Sequence, residues 1–260
     1  MTISPLVDAA TLISEVGRFI LLDASVLLPG QKGDLDAAFA QRHLPGAQRF
    51  DIDVFADPDS PLPHTVPGAA RFARLMGALG VSEDVPVVFY DGRGSVGACR
   101  GWWLARRFGH RNARIRDGGL EAWRKAGGPV EEGAASAKEP VLFRPCPRYG
   151  LLAGSGDVRL ALEREGSLVL DARSAGRFAA TVPESRPGVR SGHMPGARSM
   201  DWTRLVDESG CFLPAPELKQ ILAAAQGQSV IATCGSGLTA ATIVAALAIA
   251  GYGAATLEDG

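Results

Sequence analysis

The stretch VIATCGSGLTA, residues 230–240, places a β-branched apolar run, a cysteine, small turn-forming residues and the start of an Ala-rich segment in direct succession. This order predicts a buried strand, a tight loop and a helix, with Cys234 at the mouth of the loop. Backbone N–H groups of such a loop, together with the positive end of the helix dipole, favour a thiolate over a thiol. We therefore predict that Cys234 is a nucleophile, against the simpler interpretation of an inert cysteine at a strand end.

The pattern around this stretch also occurs earlier in the chain. Four landmarks recur in the same order: FILLDA (19–24) and LVLDA (168–172), HLPGA (43–47) and HMPGA (193–197), the apolar runs 85–90 and 229–233, and RDG (116–118) and LEDG (257–260). The match places Asp91 opposite Cys234. It predicts a tandem duplication of two α/β units, each a parallel sheet flanked by helices.

The domain boundaries follow from the repeat. We expect an N-terminal domain at 1–130, a proline-rich linker at 131–155 and a C-terminal domain at 156–260. The first copy lacks the cysteine and is predicted to be non-catalytic. The first copy continues after Asp117 with a predicted helix that contains Trp123, and we expect the second copy to lack this final helix.

Composition excludes several classes of partner. The net charge is −1 and 21% of residues are charged, so we expect neither a nucleic-acid nor a membrane partner. The N-terminus does not resemble a signal peptide, and the longest apolar run, 240–250, is too short for a membrane span. The cysteines lack metal-ligand spacing and do not form a dense disulfide framework. These features indicate a reducing cytoplasm, no metal, and single buried thiols at Cys99, Cys146 and Cys211.

The motifs resemble those of the two-domain rhodanese-like sulfurtransferases over nearly the whole chain. The loop CGSGLTA is similar to that of the members that use 3-mercaptopyruvate, with Leu238 in place of their valine. Members that use thiosulfate have a basic residue where this chain has Ser236. Four further motifs match the family: RHLPGAQRFDID (42–53), DGGLEAW (117–123), DARSAGRF (171–178) and SGHMPGA (191–197).

This resemblance implies a reaction. Cys234 is expected to take a sulfur atom from 3-mercaptopyruvate, which releases pyruvate, and then to pass the outer sulfur of its persulfide to a thiol or cyanide. A dithiol or a thioredoxin-like protein is the expected acceptor. No cofactor is implied beyond the covalent cysteine persulfide.

The resemblance also assigns roles to residues. Arg177 and Arg186 are expected to bind the substrate carboxylate, since the guanidinium fork suits a planar anion. The loop residues expected to bind substrate are Gly235, Gly237, Leu238 and Thr239. Ser236, completed by His64 and Asp53 from the first domain, is expected to pass a proton either toward the substrate carbonyl or away from the thiol. Structural or surface roles are expected for Arg173 (an ion pair), Arg190 (solvent) and the turn histidines His43 and His193.

Three other functions are alternatives for a cysteine in such a loop. A cysteine-loop phosphatase requires an arginine six positions after its cysteine, where this chain has Ala240. A thiosulfate sulfurtransferase is the nearer alternative, although the loop 234–240 carries no charged side chain for a dianion. The third is a non-catalytic sulfur carrier or binding module, which the intact Cys234 loop argues against.

Overall fold

Two parallel five-stranded sheets form the framework of the protein. The computed structural model describes residues 4–92, 94–186, 188–253 and 256–258. The strands of the first sheet are β1 (Leu6–Val7), β2 (Ile20–Asp23), β3 (Gln48–Arg49), β4 (Val87–Tyr90) and β5 (Ala113–Arg116). Those of the second sheet are β6 (Leu152–Ala153), β7 (Ser167–Asp171), β8 (Arg198–Ser199), β9 (Ser229–Thr233) and β10 (Thr256–Glu258).

The two sheets have the same topology, which confirms the predicted tandem α/β fold. The strand orders are β1-β5-β4-β2-β3 and β6-β10-β9-β7-β8, so each strand of the first sheet has a counterpart in the second. The registers also agree, because Asp23 pairs with Tyr90 in the first sheet and Asp171 with Thr233 in the second. Asp91 and Cys234 are therefore equivalent positions, each directly after a central strand. Asp259 and Gly260, which complete the last sequence landmark, lie outside the described residues.

Ten described helices connect or flank the strands. They are α1 (Ala9–Ser14), α2 (Leu35–Gln41), α3 (Ile52–Phe55), α4 (Ala69–Ala78), α5 (Val96–Arg107), α6 (Gly119–Lys125), α7 (Ser155–Glu163), α8 (Ala175–Phe178), α9 (Ala215–Ile221) and α10 (Leu238–Ile249). Helix α3 lies in the polar, proline-rich stretch 51–64 and begins because the Asp51 side chain accepts the N–H groups of Asp53 and Val54. No described helix is long and apolar enough to cross a membrane.

Helices α5 and α10 join the two halves. Each starts behind one of the two equivalent loops, and the two helices pack against each other. Most residues of α10 are buried, from Leu238 to Leu247, because the helix is apolar on every side and lies between its own sheet and α5. One hydrophobic core therefore runs through both sheets, and the loop that carries Cys234 lies at the boundary between them.

The connecting segment 131–155 is not a free tether. Its backbone pairs with the first half, where the N–H of Val141 donates to Gly77 and that of Cys146 donates to Phe108. Its end supplies β6, which pairs with β10 in the second sheet. We still propose domain boundaries at residues 130 and 156. Strand β6 belongs to the second sheet although it lies inside the predicted linker.

Helix α6 packs on the first sheet, with Trp123 fully buried in a cluster that includes Leu12 and Leu44. A cavity of about 710 Å³ lies in the second half between α7 and the turn 193–195, and Cys234 contributes to its wall. Among the described residues, β10 is the last element of the second sheet.

The turn histidines have equivalent structural contacts in both halves. His43 stacks on Phe39 with ring centroids 4.1 Å apart, and its Nδ1 lies 2.9 Å from the Phe39 carbonyl oxygen. His193 repeats this arrangement on Phe178, at 3.8 Å between centroids and 2.8 Å to the carbonyl oxygen. The repetition in the half that has Asp91 in place of Cys234 is consistent with the structural role expected for both histidines.

Candidate active site

Cys234 lies at the carboxyl end of the central strand β9, directly before the loop that leads into α10. Carboxyl ends of strands in parallel sheets are the usual place for ligand sites. Gly237 caps α10 with a φ of 73°, a left-handed conformation that favours glycine. The Leu238 side chain is buried in the core, so this residue can contact a ligand through its backbone. The neighbouring Thr239 is half-buried. The first N–H groups of α10 have no acceptor within the helix and can bind an anion.

The first half shows what such amides bind. Asp91, the counterpart of Cys234, is buried, and its carboxylate oxygens accept the N–H groups of Gly97 at 2.9 Å and Ala98 at 2.7 Å. Burial and the nearby charge of Asp23 raise the pKa of Asp91 to about 8, in spite of these two hydrogen bonds. In the first half, helix amides therefore bind the side chain that follows the central strand. Cys234 occupies the same position in the second half.

Arg177 and Arg186 both reach the loop at Gly235. Arg186 Nη2 donates to the carbonyl oxygen of Gly235. A Cβ atom built on Gly235 would lie 3.2 Å from Arg177 Nη2 and 3.8 Å from Arg186 Nη2. The two guanidinium groups thus come together at Gly235, the residue that follows Cys234. Their positive charge compensates for the lack of a charged side chain in the loop.

Glu184, which the sequence does not single out as a site residue, holds Arg177 in place. Its buried carboxylate bonds Arg173 at 2.7 Å and also pairs with Arg177. Arg173 in turn pairs with Asp171 at the end of β7, which confirms the ion pair expected for Arg173. Burial would raise the pKa of Glu184, but hydrogen bonds and charge from Arg177 and Arg173 outweigh it and the pKa is lowered. Glu184 therefore stays ionised and holds Arg177 in one orientation.

His64 from the first half reaches across to Ser236. Its Nδ1 lies 3.0 Å from Ser236 Oγ, and its Nε2 lies 3.1 Å from Asp53 Oδ1. Asp53 belongs to α3, while His64 ends the loop that follows this helix. The three residues expected to form a relay are thus in contact, although Ser236 and His64 are 172 positions apart in sequence.

The direction of this contact follows from hydrogen-bond chemistry. Because the Asp53 carboxylate can only accept, the neutral imidazole carries its proton on Nε2, and Nδ1 accepts from the Ser236 hydroxyl. Burial has the largest effect on the pKa of His64 and lowers it. The charge of Asp53 raises the pKa, the charges of Arg100 and Arg186 lower it again, and the net result is a pKa below the ordinary value. His64 is therefore neutral near pH 7 and suited to accept a proton from Ser236.

The other cysteines lie away from this arrangement and are all free thiols. Cys99 is fully buried on α5, as expected. Cys146 is exposed and Cys211 is half-buried, so the expectation of buried thiols is wrong for Cys146, which lies on the surface of the connecting segment. Among the described residues, no group of three or more His, Cys, Asp or Glu side chains is placed to hold a metal ion.

A methyl group at Gly235 tests the arrangement of the arginines. In Gly235→Ala the new Cβ would press on Arg177 Nη2, which cannot move freely because Glu184 holds it. We expect kcat/KM to fall about tenfold, corresponding to roughly 1.4 kcal/mol, with a nearly unchanged Tm. Gly156→Ala is the control, since nothing lies within 4 Å of a Cβ there. Equal kcat/KM for Gly235→Ala and the parent would contradict the close packing of Arg177 on the loop.

Fold and site together define a tandem α/β protein in which Cys234, after the central strand of the second half, lies in a loop that side chains of both halves contact. Comparisons with known proteins identify its family. The model of the Rhodanese-like domain matches residues 13–126, in the half that has Asp91 at the position equivalent to Cys234. A 3-mercaptopyruvate sulfurtransferase of Rattus norvegicus is 36% identical over 245 residues, which cover 92% of this chain and 82% of that protein. A thiosulfate sulfurtransferase of Bos taurus is also 36% identical, over 246 residues and the same shares of the two chains.

A solved structure extends the match to the complete described fold. The crystal structure of SseA from Escherichia coli, described as a 3-mercaptopyruvate sulfotransferase with the rhodanese fold, superposes with a TM-score of 0.90. It is 34% identical, and the match covers 99% of this chain and 98% of SseA. The chain belongs to the rhodanese-like sulfurtransferases. It is an enzyme that transfers sulfur from a donor to an acceptor.

Proposed function

We propose that the sulfur donor is 3-mercaptopyruvate and that Cys234 carries the sulfur as a persulfide. One observation supports this donor above all: Arg177 and Arg186 flank Gly235, while the loop 234–240 itself carries no charged side chain. A donor with its carboxylate at one end and its thiol at the other can bind the arginines and still place its sulfur at Cys234. Thiosulfate keeps its charge next to the transferred sulfur, where the loop offers only amides and a hydroxyl.

The first displacement loads the cysteine. The Cys234 thiolate attacks the donor sulfur, a sulfur–sulfur bond forms, and the bond between that sulfur and the donor's CH₂ carbon breaks. The electron pair of the broken bond remains on the organic fragment as the enolate of pyruvate. The loop residues Gly235, Gly237, Leu238 and Thr239 support this step through their amides, which favour the negative charge on sulfur.

The contact chain Ser236–His64–Asp53 moves the proton that this step requires. Because Nδ1 of neutral His64 accepts from Ser236, a thiol proton can pass to Ser236 while the Ser236 proton passes to His64. The imidazolium that results is stabilised by Asp53. It returns its proton through Ser236 to the enolate, which leaves as pyruvate. Of the two roles expected for Ser236, we propose proton removal from the thiol in this first half of the cycle.

The second displacement unloads the cysteine. A thiolate of the acceptor attacks the outer sulfur of the persulfide, which forms an acceptor persulfide and restores the Cys234 thiolate. Cyanide would take the same sulfur to form thiocyanate. We propose a dithiol or a thioredoxin-like protein as the acceptor, because a second thiol can displace the transferred sulfur as sulfide and form a disulfide. The persulfide stays on the protein, so the cycle needs no further cofactor, and four free thiols suit a reducing compartment such as the cytoplasm.

Donor preference provides the direct experiment. Steady-state rates with 3-mercaptopyruvate and with thiosulfate, each with cyanide as acceptor, should differ by about a hundredfold or more in kcat/KM in favour of 3-mercaptopyruvate. The bovine relative makes thiosulfate the serious alternative, since its identity to this chain equals that of the rat relative. Equal or better use of thiosulfate would refute the proposed donor, while loss of both activities in Cys234→Ser would still establish the persulfide carrier.

A further inference from the structure

His64 has an unusual backbone for a non-glycine residue. Its φ is 61°, in the left-handed region, which is strained for an L-residue with a side chain. Such a conformation persists only where the surroundings enforce it. At His64 it aims the imidazole away from its own loop and toward Ser236 of the other half.

The loop before His64 is closed on itself. The N–H of Asp57 donates to the carbonyl oxygen of Thr65 at 2.9 Å, and the hydroxyl groups of Ser60 and Thr65 lie 2.8 Å apart. These bonds join the two ends of the loop, but they leave the His64 carbonyl to be held by another part of the molecule.

Arg100 holds that carbonyl. Its Nη2 donates to the His64 oxygen at 2.5 Å. Arg100 belongs to α5, is only 1% exposed, and stacks over the Trp103 ring at 4.8 Å, so the guanidinium is held rigidly by the helix that joins the two halves. Its fixed charge also lies close enough to the imidazole to act against protonation.

We propose that Arg100 is the positioning residue of the chain Ser236–His64–Asp53: it fixes the His64 backbone through the carbonyl and keeps Nδ1 directed at Ser236. The proposal rests on the proton-transfer role proposed for His64. Its structural basis is the hydrogen bond from Arg100 on α5 to the carbonyl oxygen of His64, whose side chain contacts Ser236 of the other half. The charged and titratable groups that face His64 are Asp53 on α3, Arg100 on α5, and Arg186 from the opposite half.

Two substitutions separate the hydrogen bond that Arg100 donates to the His64 carbonyl from the effect of its charge on the imidazole. Arg100→Gln removes the charge and the fork, while Arg100→Lys keeps a charge without the fork. Both should lower kcat about tenfold and change KM for 3-mercaptopyruvate less than about threefold, because the substrate arginines are untouched. With the charge gone, neutral His64 protonates more easily, so the acid limb of kcat in Arg100→Gln should move upward by about one pH unit. In Arg100→Lys it should stay close to that of the parent.

A matched control lies on the same helix. Arg107 is 5% exposed and stacks on Tyr149 at 4.9 Å, away from the loop of His64. Arg107→Gln should lower Tm as a buried substitution does and leave the acid limb of kcat unchanged. An equal shift in both variants would assign the effect to general loosening of α5 and overturn the proposal.

Coupling to Ser236 provides the second measurement. If Arg100 acts through His64, then Arg100→Lys should cause no further loss of kcat in a Ser236→Ala background. Equal losses in both backgrounds would identify a merely structural role and overturn the proposal. This cycle also remains available if Arg100→Gln fails to fold.

An NMR titration tests the positioning independently of turnover. The chain has four histidines, so the His64 signal is assigned by its loss in His64→Gln. We expect this signal to titrate at a higher pH in Arg100→Gln than in the parent, and to be unshifted in Arg107→Gln. This readout does not depend on the donor, so a wrong donor assignment and a wrong assignment of Arg100 are distinguishable. An unchanged His64 titration in Arg100→Gln refutes the proposal.

Discussion

Cys234→Ser should abolish sulfur transfer with every donor and acceptor. A serine hydroxyl is not ionised in the loop at neutral pH and cannot hold a transferable sulfur, so we expect kcat below about one ten-thousandth of the parent value. The substitution removes the nucleophile and changes the volume little, and the loop conformation depends on Gly237 rather than on the thiol. Tm should therefore stay close to that of the parent.

Intact mass measures the intermediate directly. Incubation with 3-mercaptopyruvate and no acceptor should add the mass of one sulfur atom to the parent, and the same treatment should add nothing to Cys234→Ser. Cys146→Ser is the informative control, because Cys146 is exposed and is the cysteine most accessible to unspecific reaction. A persulfide that survives in Cys234→Ser and disappears in Cys146→Ser would place the chemistry outside the proposed site.

Loss of either substrate arginine should weaken use of 3-mercaptopyruvate strongly. In Arg186→Ala or Arg177→Ala the substrate carboxylate loses a charged donor, at a cost of about 2–4 kcal/mol, which corresponds to roughly 30- to 1000-fold in kcat/KM. Most of the loss should appear in KM, since the carboxylate does not change during the reaction. A lysine at either position should restore the charge without the paired geometry and recover only part of the activity.

Arg190→Ala is the matched control for these variants. Arg190 lies in the loop 179–192 together with Arg186 and is exposed, so its replacement should leave kcat/KM unchanged. Arg177→Ala has a second effect, because it removes one partner of Glu184, which then keeps only Arg173. We therefore expect a lower Tm for Arg177→Ala than for Arg186→Ala. Unchanged kinetics in both alanine variants would return these arginines to a surface role.

Much of the fold could be predicted from short-range patterns. Apolar runs that end at an acid, Pro-Gly turns and glycine-terminated helices each specify local structure, and their repetition identified the duplication. The prediction failed where the local signal was weak or short. Helix α3 has four residues and depends on the Asp51 cap, and β6 has two residues that become a strand only by pairing with β10.

The candidate site divides in the same way. Cys234 and its loop were recognisable because strand, loop and helix are contiguous in the sequence. Glu184 was missed as a functional residue, since an acid between two prolines and arginines carries no signal of burial. Its role follows from the ion pairs with Arg173 and Arg177, which form only when the loop folds onto the end of β7.

The sequence by itself determined the duplication, the position of Cys234 between strand and helix, and the absence of charge in its loop, because these are properties of contiguous residues. The tertiary structure alone decided which distant groups serve that loop. Packing of α5 on α10 brings His64 within 3.0 Å of Ser236, and the ion pairs of Glu184 direct Arg177 toward Gly235. A contact between residues 172 positions apart depends on how the two halves of the chain pack together, and no local sequence pattern specifies that packing.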